Sequence, residues 1–267
     1  MAFAVHETAI IEPGAELGED VTIGPFCHIG PAAVIGDRAC LHGRITLMGR
    51  VYLGSDVEVF PGVILGGQGQ VLGAKAEAEN RLIVGDRTVL RECVTLHLGT
   101  VKGNRETRIG PDSYLMAYSH VGHDSHIGPH NVLANGVQIA GHVSTGAHVW
   151  AGGLAAVHQF TEIGDHAFIA GGAILVGDVI PFGMVSGNRA RLHGLNLTGL
   201  SRRGFSKADI KILRQAYKSV FKEHTDLPFA DRVARAGAQF GGHDQASKLI
   251  EFLKRPRSRP LCGPGRP

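Results

Sequence analysis

The sequence has 267 residues, 38 of them glycine, and is 43% hydrophobic but only 6% aromatic. This composition favours one large domain, or a domain with a small appendage, with a core of small aliphatic side chains. The net charge of +3 is too small to indicate nucleic-acid binding. Because no signal peptide and no apolar stretch long enough for stable membrane insertion is recognisable, we expect a cytoplasmic protein.

The dominant pattern is an aliphatic residue at every sixth position. It runs from Ile11 to Leu65, resumes from Val84 to Leu96, and continues from Ile109 to Ile169, with Thr145 as its polar exception. Glycine often follows the aliphatic residue, where it would supply turn conformations. Each hexad thus predicts one short strand and one corner, and three hexads form a triangular coil. We predict a mostly β fold, a parallel β-helix of hexapeptide repeats over residues 1–190.

Two segments interrupt the repeat, near 66–82 and 101–108. Segments that leave a solenoid often build its binding face. A tolerated surface insertion is the alternative interpretation for each of them.

After the repeats the periodicity becomes that of helices. Ser206 to Asp209 has the pattern of a capping box, and apolar residues at helical spacing follow it. Further helices are predicted over 228–239 and 244–254. We therefore expect a C-terminal α-helical domain over 191–256 that caps the open end of the β-helix, followed by a basic, proline-rich tail over 257–267 that is disordered.

Residues 18 apart stack one coil above another, and this places chemical groups in columns. One column contains His123, Gly141 and Gln159, and its neighbour contains Asp124, His142 and Phe160. A glycine above His123 leaves space for a substrate hydroxyl beside the imidazole, with Gln159 roughly 10 Å further along the same wall. His123 is therefore a candidate catalytic residue, and a surface histidine is the alternative.

A cluster of histidines at positions 120, 123, 126 and 130 superficially resembles a metal site. His120 and His126 occupy equivalent positions on successive faces of the triangle, so their side chains diverge. We therefore predict no metal site.

Four segments carry a resemblance to a known family: VGHDSHIG at 121–128, AGHVS at 140–144, AVHQF at 156–160 and GLSRRGFS at 199–206. They are similar to the UDP-N-acetylglucosamine O-acyltransferases of lipid A biosynthesis, in the hexapeptide-repeat acyltransferase superfamily, and the similarity spans nearly the whole chain. The resemblance implies a left-handed β-helix, a homotrimer, no cofactor, and acyl carrier protein and a UDP-sugar as partners. The implied reaction transfers a 3-hydroxyacyl chain to the 3-position of UDP-N-acetylglucosamine, the first step of lipid A biosynthesis.

The resemblance also implies roles for individual residues. His123 would be the general base, and the Gly141 amide would polarise the thioester carbonyl. Gly171 and Gly172 would leave a long acyl groove, although a pair of turn glycines is an equal alternative. The substrate-binding positions carried over are Asp124, His97, His142, His158, Gln159, Lys75, Gly171, Gly172, Asn196, Arg202 and Arg203.

Three departures from the family pattern concern substrate contacts. The first loop reads Val71-Leu72-Gly73-Ala74-Lys75 where the family has Asp-Leu-Lys, Leu98 replaces an arginine, and Thr198 replaces a glutamate. A different acceptor, such as a 3-amino nucleotide sugar, or a non-catalytic binding protein therefore remains an alternative.

Two relatives with the same repeat compete with this interpretation. The later lipid A N-acyltransferase has a separate domain before its repeats, and here the repeats begin by Ile11. Hexapeptide-repeat carbonic anhydrases need three converging histidines and a metal.

Overall fold

The computed structural model describes residues 5–73 and 77–264. The strands are short and follow one another in chain order. They are β1 (Ile10–Ile11), β2 (Glu16–Leu17), β3 (Thr22–Ile23), β4 (His28–Ile29), β5 (Val34–Ile35), β6 (Cys40–Leu41), β7 (Thr46–Leu47), β8 (Arg50–Leu53), β9 (Glu58–Val59), β10 (Ile64–Gly67), β11 (Arg81–Val84), β12 (Val89–Leu90), β13 (Thr95–His97), β14 (Glu106–Ile109), β15 (Tyr114–Leu115), β16 (His120–Val121), β17 (His126–Ile127), β18 (Val132–Leu133), β19 (Gln138–Ile139), β20 (Ser144–Thr145), β21 (Trp150–Ala151), β22 (Ala156–Val157), β23 (Glu162–Ile163), β24 (Phe168–Ile169), β25 (Ile174–Leu175), β26 (Gly183–Ser186) and β27 (Arg191–Leu195).

Every third strand belongs to the same sheet, and the three sheets form the faces of a triangular parallel β-helix. The first face contains β1 and every third strand up to β25, the second β2 to β23, and the third β3 to β24 followed by β26 and β27. Neighbouring coils pair in parallel, as His120 with Gln138 and Val121 with Ile139. The predicted parallel β-helix is confirmed.

Three corners join these faces, and we name them by their order along the chain. The first corner joins the first face to the second and includes 122–125, 140–143 and 158–161. The second corner follows the second face and includes 128–131, 146–149 and 164–167. The third corner includes 134–137, 152–155 and 170–173.

The core is the stack of hexad aliphatic residues. Ile23, Leu41, Leu65, Leu96 and Val121 are all fully buried. Coil stacking therefore removes most of the aliphatic pattern from water, which is the main driving force for this fold.

The glycines after the aliphatic residues have a different role from the one we expected. A Cβ at Gly54 would lie 2.6 Å from the amide nitrogen of Asp86 in the next coil, and one at Gly36 2.7 Å from the carbonyl carbon of Gly54. The left-handed corner conformations fall two positions later and are mostly non-glycine, as at Asp124 (φ 59°) and His142 (φ 60°). Glycine is thus required by close approach between coils.

Both interruptions of the repeat leave from the first corner. One lies between β10 and β11, and the other between β13 and β14. The strands that flank them pair in parallel, with Leu65 opposite Leu96 and Val84 opposite Ile109, and one register shift falls between Leu65 and Gly67, where the first loop begins. The two loops therefore project from adjacent coils immediately before the coil that carries His123.

Between residues 191 and 264 the structure has four helices: α1 (Leu197–Arg202), α2 (Lys207–Phe221), α3 (Phe229–Phe240) and α4 (Asp244–Lys254). The Ser206 side chain accepts a hydrogen bond from the Asp209 amide and the Asp209 carboxylate accepts one from the Ser206 amide, so the predicted capping box is present. The predicted helices over 228–239 and 244–254 correspond to α3 and α4. No helix in the described ranges is long and apolar enough to cross a bilayer.

The prediction of a disordered tail from residue 257 is wrong for residues 257–264. Leu261 forms a parallel bridge with Asp178, and Pro264 forms one with Leu192. Cys262 is only 5% exposed. Proline and charge make the tail look disordered in sequence, but its backbone groups pair with the last coils. Residues 265–267 lie outside the described residues.

Candidate active site

The first corner holds a histidine–carboxylate pair. His123 Nδ1 lies 2.8 Å from Asp124 Oδ2. The Asp124 side chain is 1% exposed and the His123 side chain is 14% exposed. Since an ionised carboxylate can only accept a hydrogen bond, we assign the hydrogen to Nδ1, which donates it to Asp124 and leaves Nε2 with a free lone pair. This is the tautomer that a general base needs.

Asp124 is fixed by the second loop. Its Oδ1 accepts hydrogen bonds from the amides of Thr100 (3.0 Å) and Asn104 (3.1 Å), and its Oδ2 accepts one from the Thr100 hydroxyl (2.6 Å). Burial opposes ionisation, but the hydrogen bonds from Thr100 and His123 outweigh it and hold the pKa of Asp124 below its ordinary value. The carboxylate is thus a charged, rigid partner for the imidazole.

Gly141 lies directly against the free edge of His123. A Cβ at this position would be 2.7 Å from both Cε1 and Nε2 of the ring. The glycine predicted above His123 is therefore the feature that keeps Nε2 accessible. It also brings a backbone amide close to the imidazole.

His142 completes the immediate surroundings of the pair. Its ring meets that of His123 edge-on at a centroid distance of 5.0 Å and stacks on Phe160 at 4.5 Å. Ligand atoms of His123, Asp124 and His142 lie within 4.8 Å of one another, a spacing that could hold a metal ion. Both carboxylate oxygens of Asp124 already accept hydrogen bonds, however, and the same contacts suit a histidine–carboxylate pair.

Both loops cover this site. A Cβ on Gly69 in the first loop would lie 3.0 Å from the Cβ of His123, and one on Gly103 in the second loop would overlap the Asp124 carboxylate. A pocket of about 200 Å³ beneath the first loop is lined in part by Gly69, Leu98 and Thr100. The loops therefore form part of the candidate site.

His97, His158 and Gln159 lie along the same wall. The His97 ring contacts that of His120 edge-on at 4.8 Å, and burial together with His120 lowers the pKa of His97 to about 4. His158 and Gln159 are exposed two coils beyond His123, and His158 Nδ1 lies 3.2 Å from the Gln159 carbonyl. These residues thus lie on the same wall as His123, and their contact with substrate remains a prediction.

Other predicted residues lie away from His123 within one chain. Gly171 and Gly172 are at the third corner, and a Cβ on Gly172 would meet open space. Lys75 lies outside the described residues.

The predicted nucleotide-side residues lie beyond the third face, at α1. Arg202 and Arg203 line a cavity of about 740 Å³ together with Trp150, Phe168 and Asn196. The Asn196 side chain caps α1, because it accepts a hydrogen bond from the Gly199 amide and also donates one to the His166 carbonyl. Asn196 therefore positions α1 in addition to any contact with substrate.

Sequence reasoning missed the groups that hold Asp124. Thr100 and Asn104 lie where the repeat is broken, so counting in steps of 18 residues does not align them with His123. Phe160 was placed in the column of His142, but its stacking on that ring was not anticipated.

Comparisons with known proteins agree with this architecture. A family model described as UDP-N-acetylglucosamine O-acyltransferase, domain 2, matches residues 178–262. A second, for bacterial transferase hexapeptide repeats, matches 14–44 and 106–141. These two matches divide the chain between the repeats and the C-terminal region.

Curated relatives match almost the whole chain. Proteins named acyl-(acyl-carrier-protein)--UDP-N-acetylglucosamine O-acyltransferase are 45% identical in Burkholderia orbicola, over 93% of this chain and 95% of the relative, and 44% identical in Paraburkholderia xenovorans, over 94% and 96%.

Solved structures agree over the same extent. LpxA from Acinetobacter baumannii has a TM-score of 0.92 at 37% identity, covering 97% of this chain and 99% of that chain. UDP-N-acetylglucosamine O-acyltransferase (LpxA) from Moraxella catarrhalis has a TM-score of 0.91 at 33% identity, with the same coverage. The expected left-handed parallel β-helix with a C-terminal helical region is confirmed. The chain belongs to the UDP-N-acetylglucosamine O-acyltransferase family.

Proposed function

We propose that this protein is an acyltransferase that moves a 3-hydroxyacyl chain from acyl carrier protein to the 3-hydroxyl of UDP-N-acetylglucosamine, the first step of lipid A biosynthesis. The observation that carries the proposal is the His123–Asp124 pair, whose free Nε2 opens beside Gly141. We propose the cytoplasm as the place of action.

The chemistry follows from this geometry. His123 Nε2 removes the proton of the sugar hydroxyl while the hydroxyl oxygen attacks the thioester carbon. The Gly141 amide donates a hydrogen bond to the carbonyl oxygen as negative charge develops on it. When the tetrahedral intermediate collapses, the carbon–sulfur bond breaks and the imidazolium returns its proton to the departing thiolate. Asp124 stabilises the imidazolium between the two proton transfers.

A test uses purified protein with 3-hydroxyacyl carrier proteins of several chain lengths and UDP-N-acetylglucosamine. Mass spectrometry should detect the acylated nucleotide sugar and free carrier thiol in equal amounts. Absence of acylation over the whole range would refute the proposed reaction.

The assay should also include a nucleotide sugar with a 3-amino group. Leu98 and Val71 stand where the family has charged residues, and Leu98 lines the pocket beneath the first loop. An amide product formed in preference to the ester would assign the 3-amino sugar as the acceptor.

We further propose that the protein acts as a homotrimer. Its support is the distribution of the predicted residues, since His123 is at the first corner, Gly171 is at the third, and Arg202 and Arg203 are beyond the third face at α1. Threefold packing of triangular β-helices would bring different corners of neighbouring copies together.

Complementation between subunits tests the trimer. Co-expression of a His123→Ala chain with an Arg202→Ala, Arg203→Ala chain should restore turnover that neither variant has alone, because mixed trimers contain one intact cleft. Light scattering should give three times the chain mass. A monomeric mass, or no restored turnover in verified mixed assemblies, would refute the shared site.

A further inference from the structure

The C-terminal tail is bound to the last coils by a regular ladder of hydrogen bonds. The amide of Asp178 donates to the Pro260 carbonyl (2.8 Å), the amide of Cys262 to the Asp178 carbonyl (2.8 Å), and the amide of Leu192 to the Gly263 carbonyl (2.9 Å). The Cys262 thiol also donates to the Gly177 carbonyl at 3.3 Å. These bonds hold the backbone of residues 260–263, which directly follows residue 259, against the last coils.

Arg259 immediately precedes this ladder and reaches back to the first corner. Its Nε donates a hydrogen bond to the Gln159 carbonyl at 3.1 Å. Backbone hydrogen bonds connect the successive coils between His123 and Gln159. The His142 amide donates to the His123 carbonyl, and the Phe160 amide donates to the Gly141 carbonyl. Arg259 thus stands at the upper end of the His123 column, roughly 10 Å along the wall at two coil spacings.

This guanidinium retains most of its binding capacity. The hydrogen bond to Gln159 uses Nε alone, and over residues 5–73 and 77–264 neither Nη group has a hydrogen-bond or ion-pair partner. Arginine remains charged at any physiological pH, and its two Nη groups form a fork that matches phosphate oxygens. The Asp178 carboxylate interacts with this cation electrostatically, but from beyond ion-pair distance. A fixed cation with both Nη groups free beside a substrate wall is a binding group for an anion.

We propose that Arg259 binds a phosphate group of a substrate, an inference that rests on the function proposed above. Two sources present this chemistry. UDP-N-acetylglucosamine carries its diphosphate on ring carbon 1, two carbons from the hydroxyl that must meet His123. The acyl donor carries a phosphodiester on the prosthetic arm of the carrier protein.

Three variants separate the effect of the Arg259 charge from that of its hydrogen bond to the Gln159 carbonyl. Arg259→Gln keeps an N–H donor for the Gln159 carbonyl but removes the charge, Arg259→Lys keeps the charge, and Arg259→Ala removes both. Arg255→Ala, an exposed residue at the end of α4, is the matched control. Each protein is measured for the KM of both substrates, for kcat, and for the melting temperature.

Arg259→Gln should raise one KM about tenfold, the loss typical of one charge-assisted hydrogen bond, and should leave the melting temperature unchanged. The KM of Arg259→Lys should lie between those of Arg259→Gln and the wild-type protein. A rise for UDP-N-acetylglucosamine assigns the diphosphate, and a rise for the acyl donor assigns the phosphodiester. Unchanged KM values in all three variants, with or without a lower melting temperature, would overturn the proposal.

Calorimetry keeps this test independent of turnover. If the wild-type protein does not acylate either acceptor, the proposed function fails, but UDP and holo-carrier protein can still be titrated directly. Weaker binding of one of them to Arg259→Gln than to Arg255→Ala supports a phosphate site, and equal binding of both overturns it.

Discussion

The first and second corners of the β-helix both carry histidines on successive coils, yet their surroundings differ. At the second corner the rings of His130, His148 and His166 stack on one another at 4.6 and 4.8 Å. At the first corner His123 meets a buried carboxylate, a glycine and two loops. The repeat places histidines in columns, and the insertions at one corner convert a column into a candidate active site.

Replacing His123 by alanine should have the largest effect on turnover and should sharpen the contrast between the first and second corners. Loss of the general base should lower kcat about 100- to 10,000-fold, with little change in melting temperature because His123 is not part of the buried aliphatic core of the coils. His130→Ala at the second corner is the control and should retain activity in the same transfer assay. Equal activity of the two variants would remove the distinction between the corners.

Gly141→Ala tests the open edge of the imidazole. The added Cβ would lie 2.7 Å from Nε2 of His123, so the ring must move, and a displacement of this order should cost about 100-fold in kcat. Gly242→Ala, where a Cβ meets nothing within 4 Å, should be neutral. Full activity of Gly141→Ala would show that His123 does not act from this position.

Asp124→Asn should lower kcat about 10- to 100-fold, as expected for loss of a group that orients a catalytic imidazole. The amide can accept hydrogen bonds on one atom only, so the bonds from Thr100 and Asn104 also weaken and the melting temperature should fall. The depressed pKa of Asp124 adds a pH signature: its stabilisation is present at neutral pH and is lost as the pH falls through that lowered value. If the Asp124→Asn variant has the same turnover as the wild-type protein and loses the same amount of stability at acidic pH, Asp124 has no role in orienting His123.

The smallest effect concerns the second corner and appears in stability alone. Burial, aided by His148 and Arg203, lowers the pKa of His166 to about 4. An unfolded histidine titrates near 6.5, so unfolding takes up a proton between pH 6.5 and 4 and stability falls as the pH is lowered through this window. His166→Phe should reduce the fall in melting temperature between pH 7 and 5 by about 3 °C.

A His193→Phe variant, changed at an exposed histidine, is the control for this measurement. It should retain the full pH response of the wild-type protein. The same response in both variants would mean that His166 titrates normally.

The regular part of the molecule was predictable because a six-residue period permits few structures. The alignment of His123 with Gly141 followed from counting residues, and the start of α2 followed from Ser206 and Asp209. These features depend on neighbours in sequence or on a fixed repeat, so the amino-acid sequence alone contains the information needed to predict them.

Other features depend on pairings that no local pattern encodes. Thr100 reaches Asp124 from a loop without a period, and Leu261 pairs with Asp178 although its surroundings resemble a disordered segment. The substitution of Leu98 for arginine was visible in sequence, but its position beneath the first loop was not. The position of each of these residues is determined by contacts with residues far away in the sequence.

The departure of both loops from one corner has a consequence for how this enzyme family diversifies. Apart from one register shift between Leu65 and Gly67, the strands on either side of each loop remain paired with the neighbouring coils, as Leu65 with Leu96 and Val84 with Ile109, so loop length and charge can change without disturbing the coils. Residues that contact the acceptor can therefore change by mutation while the histidine–carboxylate pair and the coils stay as they are. The chain's unusual first loop and Leu98 are the kind of change that such separation permits.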